Sequence, residues 1–196
     1  MDPNLVSYDG SITLLNELGV DPASVDVLPL SFYLESPALG QFTRSEFLNG
    51  WLRLGVGASS IYDQEELKRQ QRESMVQIMN AFRANATVLP KFNATEKASS
   101  LKGLYTAVYE YTFAFARPEG QKNLRMYLKP SFSPAQWDLW KRFLTTASNL
   151  RVISKDTWTQ FLAFMREIDP RFETHDYEAA WPSVIDEFVA WVHEQQ

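Results

Sequence analysis

Apolar residues recur three or four positions apart in nearly every readable segment of this chain, and no stretch alternates in steps of two for long enough to build a sheet. The pattern predicts an all-α protein, with proline and glycine at the edges of periodic stretches. Asp21-Pro22 reads as an N-cap followed by proline at the first helical position, predicting a helix through about Ser36 that Pro29, with no amide hydrogen, kinks or breaks. Thr43-Arg44-Ser45-Glu46 is a capping box. The helix that it opens puts Phe47, Trp51 and Leu54 on one side before Gly55 ends it. A longer, more polar helix is expected from Ser60 to about Arg83, with Leu67, Ser74, Ile78 and Phe82 as its stripe. Residues 85–100 mix Asn, Thr, Pro and Ser and read as a loop.

Beyond that loop, Leu101, Leu104, Tyr105, Val108, Thr112 and Phe115 fall at helical spacing, so one face is buried. Ser133-Pro134 caps a helix carrying Trp137, Trp140, Phe143 and Leu144. The stretch from Ser154 to Ile168 carries Trp158, Phe161, Leu162, Met165 and Ile168, and a last helix from Pro182 carries Val184, Ile185, Phe188, Val189 and Val192. There is no internal repeat and no low-complexity block.

Composition narrows the chemistry. With 196 residues, 45% hydrophobic and 14% aromatic, the chain can bury a full core, and one domain over residues 1–196 is the expectation. No apolar run reaches the roughly 18 residues needed to span a bilayer, and the first ten residues are polar, so the chain reads as soluble and intracellular, without a membrane partner. There is no cysteine, which removes disulfides, a thiolate nucleophile and thiolate-bound zinc. The two imidazoles, His175 and His193, do not have the i, i+4 spacing of a helical metal pair. No cofactor or metal is expected.

The net charge of -5 is local: from Arg151 onward four basic residues face nine acidic ones, whereas the preceding residues balance. Nucleic-acid affinity comes largely from neutralising phosphates, so an acidic segment argues against that partner and suits a basic protein surface.

Three chemistries remain to be weighed on the residues. "SYDGS" and "FTRSEFLNG" suggest the loop and exiting helix of an EF-hand, but a calcium loop needs alternating carboxylates and a closing bidentate Glu, and Asp9-Gly10 stands almost alone. The C-terminal acids show no spacing that marks an acid/base pair. Asp156 at the head of one helix and Asp186 in the first turns of another favour their helix dipoles. Together with Ala180, and beside Trp158 and Trp181, they also outline an acidic rim with a shallow spot for a partner's side chain. Read from these residues alone, the alternative to such a docking rim is an EF-hand-like helical interaction or calcium-sensor protein.

"ISKDTW", "IDPRF", "YEAAWPSVIDEF" and "YTFAFARPEGQK", with "DPASVDVLPLSFYL" and "FTRSEFLNG", closely resemble the potentiating-neddylation domain of the defective-in-cullin-neddylation family, from about Asp9 to Val192, with residues 62–100 poorly matched. The resemblance implies a compact all-helical fold with EF-hand-like pairs lacking calcium. It implies a scaffold-type ligase component of the cytoplasm and nucleus, which binds a cullin C-terminal region and the charged conjugating enzyme together and has no catalytic residue of its own. The family's cullin-binding patch falls on Asp156, Ala180 and Asp186. Its pocket for the conjugating enzyme's acetylated N-terminal methionine falls on Ala23, Val27, Leu28, Leu30, Leu39 and Phe115, residues that composition alone reads equally well as core. The connection from Lys122 to Asp138 is shorter than the family's, so no pocket residue is assigned there.

Overall fold

Short backbone pairing ties the first helices together. In a computed structural model that describes residues 4–38, 40–57, 63–86, 103–115, 133–146 and 153–195, strands β1 (Leu5–Val6) and β2 (Phe42–Thr43) pair antiparallel, Leu5 opposite Thr43 and Val6 opposite Phe42. Each strand runs directly into a helix, α1 (Tyr8–Glu17) or α3 (Arg44–Arg53). Two loop segments joined by a miniature sheet, each with an exiting helix, is the arrangement of an EF-hand pair. Here Asp9 sits inside the first turn of α1, whose N-cap is Ser7. Among the described residues no group of three or more His, Asp or Glu side chains could hold a metal ion.

The remaining helices are α2 (Val27–Tyr33), α4 (Gln64–Arg83), α5 (Leu104–Phe115), α6 (Pro134–Thr146), α7 (Lys155–Glu167) and α8 (Ser183–Glu194). The fold is therefore all-α, with eight helices among the described residues, none long and apolar enough to cross a membrane. The chain divides into two compact units, Met1–Ala116 and Arg117–Gln196.

In the first unit α2 packs against α4 and α5. Leu30, Tyr33 and Leu34 of this region, Ile78 of α4 and Leu104 of α5 are all fully buried. Tyr111 fastens α5 to the end of α2 by donating to the carbonyls of Ser36 at 2.5 Å and Ser31 at 3.2 Å; its burial pushes the phenol pKa far above the ordinary range. Gly50 lets α3 lie against α2: a β-carbon there would stand 2.9 Å from both the Leu34 α-carbon and the Tyr33 carbonyl oxygen.

The capping box opens α3 as expected, with Thr43 Oγ1 accepting from the Glu46 amide at 3.3 Å, but Glu46 answers by accepting from the Thr43 hydroxyl at 2.6 Å. Gly55, at φ 79°, ends the helix. Asp63 caps α4, with Ser74, Ile78 and Phe82 on its buried stripe and Leu67 half-buried. Residues 58–62, most of the expected 85–100 loop and Leu101 lie outside the described residues.

Two expected helix starts are wrong: α4 begins at Gln64, not Ser60, and α2 begins later than Pro22. The Asp21 carboxylate does not cap a helix at Pro22: it accepts from the Ala23 amide at 2.9 Å, closing a local turn, and α2 begins only at Val27. Pro29 consequently occupies the third helical position, where amide hydrogens have no intrahelical partner, and the helix continues unbroken to Tyr33.

The second unit is built on aromatic rings. Trp140 of α6 stacks on Phe161 of α7 at 4.2 Å and meets Phe188 of α8 edge-on at 4.8 Å. Ser133 and Gln136 form a reciprocal capping box at the head of α6, and Ser154 caps α7 by accepting from the Thr157 amide at 3.0 Å. In the connection from α7 to α8, Phe172 is buried with its backbone in the left-handed region at φ 63°. Its ring packs against Phe188 at 5.3 Å and Phe164 at 6.4 Å.

Candidate functional site

The α7–α8 connection is stiffened by its own polar side chains. Asp169 closes it near its start, accepting from the Arg171 amide at 2.8 Å and from the Thr174 amide and hydroxyl at 2.8 and 2.9 Å. These bonds, the Thr174 amide first, hold the Asp169 pKa below the ordinary carboxylate value. Asp176 Oδ1 accepts from the Glu178 amide at 2.9 Å, fixing the next turn. The segment then leads through Ala180, which is exposed, and Trp181, which is half-buried, to Pro182 and the start of α8.

Asp186 lies in the first turn of α8, whose N-cap, Pro182, makes no side-chain capping bond. Val184, Ile185, Phe188 and Val189 on the same helix are buried, and Asp186 stands at the edge of that stripe with its side chain 31% exposed. Its Oδ1 is 2.8 Å from Nε2 of His175, a side chain only 2% exposed. The imidazole is enclosed by rings: Tyr177 and Phe164 meet it edge-on at 4.6 and 5.6 Å, and Trp181 lies at 6.5 Å. Beside it opens a cleft of about 230 Å³ with Phe164, Ile168, His175 and Trp181 in its wall and the acids Glu167 and Asp176 at its border. The cleft thus combines apolar walls with carboxylates, which suits the aliphatic stem and charged head of a basic side chain.

Asp156 sits in the first turn of α7 and is exposed; its two oxygens each accept from Gln160 Nε2 at 3.0 Å. It lies eight residues before Phe164, or about 12 Å of helix rise from the ring that touches His175. Of the two tryptophans expected to flank the acids, Trp158 is 1% exposed and belongs to the core, whereas Trp181 is half-buried. His175 escaped the sequence analysis, which weighed imidazoles only as metal ligands. Its position eleven residues before Asp186, across a nonperiodic connection, carries no spacing signal.

Of the six residues matched to a peptide pocket, Val27, Leu30 and Phe115 are 4% exposed or less and Leu28 is 9% exposed. Ala23 is exposed, and Leu39 lies outside the described residues.

Comparison with known proteins settles the family. Residues 86–191 match the model of the family described as cullin binding. The chain belongs to the defective-in-cullin-neddylation family. Defective in cullin neddylation protein 1 of Mycosarcoma maydis is 39% identical over 213 residues, covering 98% of this chain and 66% of that protein. The protein of the same name from Candida albicans is 30% identical over 228 residues, covering 98% of this chain and 74% of its own length. DCN1-like protein 4 of Danio rerio is 27% identical over 199 residues, with 98% of this chain and 62% of that protein covered. The chain therefore spans about two thirds of the Mycosarcoma protein's length, and the acids of the family resemblance lie on its α7 and α8.

Proposed function

We propose that this chain promotes cullin neddylation as a two-partner scaffold. It docks a basic face of a cullin C-terminal domain on Asp156, Ala180 and Asp186, and holds the modifier-charged conjugating enzyme through that enzyme's acetylated N-terminal methionine. What carries the reading is the partly exposed Asp186 carboxylate at the head of α8, at the family's patch position, within an acidic C-terminal segment. Transfer would then pass from the conjugating enzyme's thioester to a cullin lysine without a nucleophile from this chain, which contains no cysteine. Its contribution is orientation and raised effective concentration. Ala23, Val27, Leu28, Leu30, Leu39 and Phe115 are the proposed pocket positions. The buried members among them would give up neighbour contacts for an acetyl-methionine, whose burial contributes at about 25 cal/mol per Å² of apolar area.

The test is calorimetric titration of a cullin C-terminal domain into this protein and its Asp186→Asn variant. The expected result is binding that the substitution weakens at least tenfold, about 1.4 kcal/mol, with a matching fall in the rate of modifier transfer in a reconstituted assay. Equal affinity of both proteins, or no binding by either, would overturn the reading.

A further inference from the structure

The structure assigns a positioning role to His175: it fixes the Asp186 carboxylate in the orientation in which that group meets a cullin's basic surface, an inference that rests on the docking role proposed above. Asp186 is the only one of the two patch carboxylates whose hydrogen-bond partner is itself buried. Asp156 is held by Gln160 on its own exposed helix face, a partner that moves with it. The imidazole, by contrast, is 2% exposed, has the rings of Phe164, Tyr177 and Trp181 around it, and places its Nε2 2.8 Å from Asp186 Oδ1.

A carboxylate on a helix surface ordinarily samples several rotamers, and ordering it on binding costs affinity. With Oδ1 committed to a fixed ring, that ordering is already done before the partner arrives, and Oδ2 is left to accept from it. The connection bearing His175 is itself held by the Asp169 and Asp176 turns, so the ring is anchored on both sides.

The experiment is a double-substitution cycle on affinity for a purified cullin C-terminal domain, using the full chain. The proteins are wild type, His175→Phe, His175→Gln, Asp186→Ala, and the His175→Phe, Asp186→Ala double variant, each checked for folding by urea denaturation. The surrounding rings accommodate Phe, and Gln restores an N–H donor. The expected result is that His175→Phe weakens binding roughly threefold to tenfold, that His175→Gln recovers most of the loss, and that His175→Phe has no further effect once Asp186 is Ala. If Asp186→Ala weakens binding while His175→Phe leaves it at the wild-type value, the positioning role is wrong and the docking role stands. Equal losses from His175→Phe in both backgrounds, or no recovery with Gln, would mean that the ring's effect does not pass through its hydrogen bond to Asp186, which also overturns the inference. Unchanged affinity of Asp186→Ala overturns the docking role and this inference together.

Discussion

Asp169 and Ala180 make opposite use of the same connection. Three hydrogen bonds to Asp169 favour its ionised form, so its pKa in the folded protein lies below the ordinary value of 3.8. A carboxyl with a depressed folded-state pKa adds stability above its unfolded pKa and loses it as pH falls through the folded value. Urea denaturation between pH 5 and about 2 is therefore expected to show the wild type losing stability more steeply than Asp169→Asn. Ala180 has no such duty. It is exposed, and replacing it by Arg is expected to leave the urea midpoint nearly unchanged, within about 0.5 kcal/mol. The same change places a positive charge and a long side chain at one of the three proposed patch positions, so cullin affinity measured in parallel should fall at least about tenfold.

Helix ends were the most readable elements, because a cap is a short-range pattern whose chemistry lies within four residues. Thr43, Ser133 and Ser154 all accept from the amide three positions on, the first two as their sequence contexts indicate. The start of α2 was misread because Asp21 has two local bonding choices, and a turn to Ala23 satisfies it without a helix. Helix-to-helix contact is less readable still. Nothing in "FLNGWL" distinguishes Gly50 from a tolerated helical glycine until α3 is laid against Leu34 and Tyr33. Gly50→Ala, which raises helix propensity on an isolated helix, is expected instead to destabilise this protein by about 1–3 kcal/mol. A lower urea midpoint with an unchanged denaturant slope would be the signature. The His175–Asp186 pair was illegible for a related reason: it depends on how a connection without periodicity folds back on a helix.

For the whole molecule, the two proposed docking regions belong to different compact units and to different physics. Asp156, Ala180 and Asp186 lie in the unit Arg117–Gln196, and all six candidate pocket positions in Met1–Ala116. The first region works by charge, the second by apolar burial. Raising the salt concentration is therefore expected to weaken cullin binding steadily and to leave the affinity for an acetylated N-terminal peptide of the conjugating enzyme unchanged within about twofold. Calorimetry on one protein sample with each titrant in turn measures both. A scaffold built this way can have its two affinities adjusted separately.

Phe172 reverses an ordinary ranking of substitutions. In most structured positions glycine is a worse replacement than alanine, since it frees the unfolded chain. At φ 63° an alanine would keep the left-handed backbone's cost, about 1–2 kcal/mol, after losing the ring that holds it there, whereas glycine loses the same ring and sheds that cost. Phe172→Gly should therefore melt above Phe172→Ala, although both fall below the wild type. In the connection from α7 to α8, a smaller residue does less harm than a larger one.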